Sequence, residues 1–229
     1  VPDRWWDKFK NKELSMKFSG GKKGGVDFVR AALAMCENID WNVGRLLKKL
    51  DDLGIADNTI VLYFSDNGPN SSRWNGGMKG RKGSTDEGGV RSPLVMRWPA
   101  KIKAGKIVKE ITSGADLLPS LASLAGIPLI SKKPLDGMNF EGLLTDKPVS
   151  WNKDRTIFNW WKANSSLRNQ RFRLDTKGVL YDIENDRGQT KDVTKQFPDV
   201  AAKLKSELNK YRAQVTEELP KKDPRPFSI

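Results

Sequence analysis

The chain has 229 residues, 37% of them hydrophobic and 30% charged, a balance that excludes an intrinsically disordered chain. A single cysteine and no histidine exclude an internal disulfide, a Ser-His-Asp triad and any zinc site of histidines or several cysteines built from this chain alone. The formal charge of +13 favours polyanionic partners and equally describes a lysine-rich solvated surface.

No run approaches the roughly 20 apolar residues of a membrane helix. The opening Val1-Pro2-Asp3-Arg4-Trp5-Trp6 has no basic start followed by an apolar stretch, so it is not read as a signal peptide and names no compartment. Residues 1–25 mix lysines with Gly20, Gly21, Gly24 and Gly25, which reads as an irregular surface loop. From Val26 to Leu53 the apolar residues Val29, Leu33, Cys36, Ile39, Val43, Leu46, Leu47 and Leu50 recur at three- and four-residue spacing. That period predicts a long amphipathic helix ending near Gly54, with Cys36 on its apolar face as a buried small hydrophobe.

Asp57-Asn58 then turns the chain into Thr59-Ile60-Val61-Leu62-Tyr63-Phe64. This nearly continuous apolar run predicts a strand of a central parallel sheet, covered on both faces. Residues 65–91 form a long glycine-rich charged loop. Pro93–Trp98 reads as a second strand and Ala115–Ala125 as a short helix; Pro128, Pro134 and Pro148 mark an irregular connection. After about Ser150, the runs Thr156–Trp161, Phe172–Leu174 and Val179–Ile183 predict an antiparallel meander, followed by a helix from Pro198 to about Val215. The expected organisation is an α/β portion over 1–150 and a small α+β subdomain over 151–229.

The chemistry gathers in two segments. Ser65-Asp66-Asn67-Gly68 follows the first strand directly, and in open α/β sheets sites form beyond the carboxyl ends of strands. Asp66 and Asn67 offer a carboxylate and an amide oxygen, hard ligands suited to calcium or magnesium; Asp-Asn-Gly is also common turn chemistry. The second segment runs from Gly76 to Arg91 and packs glycine with cations, which suits close backbone approach to an anion. It is no Walker A loop, because Lys82 is followed by Gly83.

Taken in order with Pro93-Leu94-Val95-Met96-Arg97-Trp98-Pro99, these segments resemble the sulfatase family of the alkaline-phosphatase-like superfamily. The flanks Asn38-Ile39-Asp40, Asp116-Leu117-Leu118-Pro119-Ser120-Leu121, Leu135-Asp136-Gly137 and Leu180-Tyr181-Asp182-Ile183-Glu184-Asn185-Asp186 are similar to that family too. The resemblance implies the C-terminal half of an alkaline-phosphatase-like sandwich, a mostly parallel sheet with flanking helices, plus the small antiparallel subdomain. It implies Asp66 and Asn67 as ligands of a divalent ion, usually calcium, and Lys82 as the lysine on the sulfate group. Glu87, Gly88, Gly89 and Arg91 would shape the loop.

The family's formylglycine arises from a Cys/Ser-x-Pro-x-Arg signature. Cys36 is followed by Glu37-Asn38-Ile39, and no serine meets the pattern. The expectation is therefore a sulfuric ester hydrolase whose nucleophile, further aspartates and histidines lie in a missing N-terminal half, with this chain alone inactive. The implied substrate is a sulfated small molecule or polysaccharide, and the implied location is periplasmic or secreted. A phosphonate or phosphate monoester hydrolase of the same superfamily, or a non-catalytic polyanion-binding fragment, are the rival readings. No nucleic-acid motif is present to favour a nucleic-acid partner. A chain cut this way is expected to leave the side chains of 60–64 poorly covered.

Overall fold

The computed structural model describes residues 1–14, 25–71, 73–145, 147 and 151–218. Of the opening stretch read as loop, residues 15–24 lie outside the described residues, as does Pro148 of the irregular connection. The described part of the opening is more ordered than expected. Asp3–Trp6 forms a one-turn helix, α1, whose Trp5 is buried. The Trp5 and Trp41 ring centroids lie 5.8 Å apart, and the Arg4 guanidinium stands 4.8 Å from each. An aromatic anchor orders this turn, with no periodicity to announce it.

The predicted long helix, α2, spans Val26–Asp52. It ends at Gly54, whose φ of 67° and whose N–H, donating to Asp51 O, stop the helix. Val29 and Ala34 are its buried residues, while Phe28, Met35, Ile39 and Leu46 are exposed. Cys36 is exposed as well, which corrects its reading as a buried hydrophobe. The face has the spacing of a core face, and the described residues cover it only in part: Val29 is buried, while Ile39 and Leu46 stay exposed.

A 3-10 turn, Ala56–Asn58, leads into β1, Val61–Phe64. β1 pairs antiparallel with β2, Leu94–Arg97, setting Val61 opposite Arg97 and Phe64 opposite Leu94. The parallel neighbours expected for β1 are absent among the described residues. Among the described residues, the segment between the strands holds one short helix, α3, Glu87–Val90. It doubles back on itself and so delivers an antiparallel partner, whereas a parallel one needs a long crossover. The poor cover expected for 60–64 in this chain is found: none of Ile60–Phe64 is buried, and Phe64 is 52% exposed. This is the exposure expected of a sheet short of its neighbours.

A short 3-10 turn, Gly114–Asp116, opens α4, Leu117–Ala125, and Glu141–Leu144 forms α5. Asp116 organises this region. It is fully buried, accepts the N–H of Ser113 and of Met138, and receives both nitrogens of the buried Arg155 fork at 2.7 and 3.0 Å. A bidentate pair with its remaining lone pairs filled tolerates burial.

The last part is a four-stranded antiparallel sheet in the order β3 (Ile157–Trp161), β4 (Asn164–Arg168), β5 (Phe172–Leu174), β6 (Leu180–Asp182), followed by α6, Pro198–Glu218. Alternation along the strands gives the sheet two jobs. One face presents Leu167, Phe172, Leu174 and Leu180 to Ala201, Leu204 and Leu208 of α6, closing a core. Phe158 and Tyr211 stack at its border, centroids 5.3 Å apart. The other face presents Ser166, Arg168, Arg173 and Tyr181, and the glycine-rich loop lies on it.

Candidate active-site cleft

A cleft of about 420 Å³ opens at the carboxyl end of β1. Asp66 and Asn67 line it from one side, Arg91 and Ser92 from the returning loop, and Asn159 and Arg168 from the antiparallel sheet. The turn that sets the first pair is fixed by backbone. The Gly68 N–H donates to Gly89 O at 2.9 Å, and a Cβ on Gly68 would overlap the Gly88 carbonyl. Only glycine allows that approach. The Ser92 hydroxyl donates to Ser65 O, clamping the two ends of the loop. The Asn67 amide nitrogen donates to Gly68 O at 2.9 Å.

Lys82 is exposed and is not among the residues lining this cleft. Its backbone N–H donates to Pro69 O at 2.9 Å, so the loop that carries it is tied to the same turn as Asp66 and Asn67. The sequence-predicted ligands thus share one cleft, and the predicted lysine stands on the adjoining loop.

Beneath the loop lies a cluster in which sequence reasoning assigned only Glu87 and Arg91, as loop-shaping residues. Glu87 is fully buried and meets three arginines: Arg173 at 2.8 Å, Arg168 at 3.1 Å and Arg91 at 3.2 Å. Burial pushes its carboxyl up, but Arg173, Arg168 and Arg91 together more than offset this and hold it below the ordinary carboxylate range. Burial also pulls the Arg168 guanidinium down to about 10, with Glu87 opposing. Arg173 donates further to Thr85 O and to Ser166 Oγ, each at 2.8 Å. Gln189 completes the joint by accepting the Glu87 N–H at 2.8 Å and donating to Asp86 at 3.1 Å. Arg168 and Arg173 lie more than 80 residues from Glu87 in sequence, and no local signal in the chain points to their arrival.

The fold is that of solved sulfatases of the alkaline-phosphatase-like class. Ps i-CgsB, solved in complex with k-i-k-neocarrahexaose, superposes with a TM-score of 0.72 at 26% identity, over 92% of this chain and 46% of that one. A second structure, solved with its substrate D-glucosamine-2-N,6-O-disulfate, gives 0.64 at 25% identity over 89% of this chain and 46% of that one. A phosphonate monoester hydrolase from Silicibacter pomeroyi shares the fold with a TM-score of 0.64 at 19% identity, over 85% of this chain and 43% of that one.

The chain belongs to the sulfatase family: the Sulfatase family model matches residues 2–127, and the N-sulphoglucosamine sulphohydrolase C-terminal model matches residues 82–214. Steryl-sulfatase from Mus musculus is 42% identical over 118 residues, 47% of this chain and 19% of its own length. Arylsulfatase A from Homo sapiens is 43% identical over 111 residues, 46% of this chain and 22% of its own. The chain thus spans about a fifth of these relatives and about half of the solved structures. Among the described residues, no helix is long and apolar enough to cross a membrane.

Proposed function

We propose that the protein containing this chain hydrolyses sulfate monoesters. These 229 residues supply two ligands of a divalent ion and one sulfate-binding cation; the nucleophile and the proton chemistry come from residues outside them. The observation that carries this reading is the meeting of Asp66 and Asn67 in one cleft at the end of β1, beside the loop of Lys82.

The two ligands suit a hard divalent ion such as calcium. Asp66 has no cationic partner among the described residues, and the Asn67 nitrogen is engaged by Gly68 O, which leaves its oxygen as the atom that would ligate the ion. Among the described residues no group of three or more His, Cys, Asp or Glu gathers, so further ligands would come from elsewhere in the protein. Such an ion, when bound, polarises the sulfuryl oxygens. Lys82 would contact the same group and offset the charge that builds as the ester bond breaks. Glu87, Arg173 and Gln189 would keep the loop of Lys82 in place.

The missing chemistry has a structural counterpart. Phe28, Leu46, Phe64 and Val95 are exposed apolar residues on α2, β1 and β2, and burying such surface favours a covering segment. An N-terminal half carrying the Cys/Ser-x-Pro-x-Arg signature would supply both cover and nucleophile. The substrate class is a sulfated small molecule or saccharide, by extension from relatives solved with such ligands. As the family resemblance implies, the compartment would be periplasmic or secreted.

The test is to assay the complete protein on 4-nitrophenyl sulfate and on an aryl phosphonate ester, before and after chelation. Sulfate hydrolysis that is lost on chelation and restored by calcium is expected, with no turnover by residues 1–229 alone. A preference for the phosphonate, or indifference to chelation, would overturn the reading.

A further inference from the structure

The sheet face that carries the glycine-rich loop ends on an exposed tryptophan. In the β3–β4 pair, Ile157 stands opposite Arg168, Asn159 opposite Ser166, and Trp161 opposite Asn164. These pairs share one face, because strand residues two apart point the same way. The loop follows them rung by rung. Arg168 pairs with Glu87, Ser166 Oγ donates to Thr85 O, and a Cβ on Gly83 would lie 3.5 Å from Trp161 Nε1. Each rung advances two residues along the loop, from 87 to 85 to 83, and the next residue is Lys82.

Trp161 is 53% exposed, and its indole N–H has no partner among the described residues. The hairpin that carries it is tight. The two-residue turn Lys162–Ala163 has Lys162 at φ 54°, and the Trp160 indole donates to Lys162 O. A lone exposed apolar residue is ordinary on a protein surface. This one is held on a short hairpin, beside the cation assigned to sulfate, with Lys162 and Asn164 as polar neighbours. A flat amphipathic face with an N–H at its edge, flanked by a cation and an amide, is the lining that recognises a hydroxylated ring better than a bare aryl group.

We infer that Trp161 is a specificity-determining residue: its indole stacks on a sugar ring of the substrate whose sulfate lies at Lys82, with Lys162 and Asn164 contacting the ring's polar substituents. The substrate class is then a sulfated saccharide. This rests on the sulfatase reading of Lys82 and adds to it the identity of the leaving group.

The experiment uses the complete protein as wild type, W161F and W161A. Binding is measured to a panel of carrageenan-, heparin- and chondroitin-type sulfated oligosaccharides. Inhibition by inorganic sulfate, which has no ring, is measured alongside, as is turnover of 4-nitrophenyl sulfate. W161A is expected to weaken the oligosaccharide that wild type binds best by roughly five- to thirtyfold, the range for losing an aromatic anchor. W161F retains most of the affinity, and neither variant changes inhibition by inorganic sulfate. Unchanged oligosaccharide binding overturns the inference. So does an equal loss for inorganic sulfate and kcat, which would make Trp161 a prop for the loop. A wild-type enzyme that cleaves the aryl ester but binds no oligosaccharide overturns the inference and leaves the proposed function standing. One that cleaves no sulfate ester removes both.

Discussion

The antiparallel sheet with α6 and the α2–β1–β2 portion are built from similar apolar residues and end in opposite conditions. In the first, Leu167, Leu174 and Leu180 reach zero exposure against Leu204 and Leu208. In the second, Leu46 is 66% exposed, Phe64 52% and Val95 60%. One region closes its own core; the other leaves much of its core-type surface uncovered among the described residues. Apolar pattern says which face wants cover, and only long-range contacts say whether cover is present. The joint between the two regions is polar: Glu87 and its three arginines, with Thr85, Ser166 and Gln189.

The joint should be the most sensitive point. Glu87→Ala leaves Arg173 and Arg168 without their counter-charge in a buried place. Removing one partner of a buried ion pair costs about 3–5 kcal/mol, so a large drop in unfolding midpoint is expected by chemical denaturation. A loss below about 1 kcal/mol would show that the two regions do not depend on this contact. The two surfaces should differ nearly as much. Leu174→Ala, in the closed core, should cost about 2–5 kcal/mol. Leu46→Ala on exposed α2 should stay within about 0.5 kcal/mol in the isolated chain. If the complete protein covers α2, the same Leu46→Ala should become costly there, and equal costs in both settings would break the comparison.

The acid response should be smaller and has a definite sign. The folded Glu87 pKa is lowered, so its stabilisation is fully present above the unfolded carboxyl value of about 4.3. It is lost as pH falls through the lower folded value. Asp182, lowered first by the Arg171 hydrogen bond, acts in the same direction. Thermal melts should therefore fall below about pH 4, and Glu87→Gln should flatten that part of the profile. An unchanged acid limb would remove Glu87 from the account.

Much of this was legible because it is local. The 3.6-residue period marked α2 and α6, and the apolar runs marked β1, β5 and β6. Asp66 and Asn67 could be found because they are adjacent and directly follow a strand. α1 was missed because a Trp5–Trp41 contact makes it, not a pattern of its own. β4 was missed because Asn164-Ser165-Ser166 reads as a turn. Those serines are buried, and the hydroxyl of Ser166 bonds the loop at Thr85 O. The antiparallel pairing of β1 depends on how residues 65–93 fold back. The arrival of Arg168 and Arg173 at Glu87 depends on contacts more than 80 residues apart. Neither leaves a trace in any window of the sequence.

The central claim is that the loop beside Asp66 and Asn67 holds a lysine acting on sulfate. Its most direct test is the kinetics of the complete protein with Lys82→Ala on 4-nitrophenyl sulfate, alongside a denaturation curve. Loss of one preorganised charge at a developing anion costs about 2.7–4 kcal/mol. Turnover should therefore fall roughly a hundred- to thousandfold, while stability stays within about 0.5 kcal/mol because Lys82 is exposed. A variant that turns over at the wild-type rate, or whose loss of rate follows from unfolding, would contradict the account.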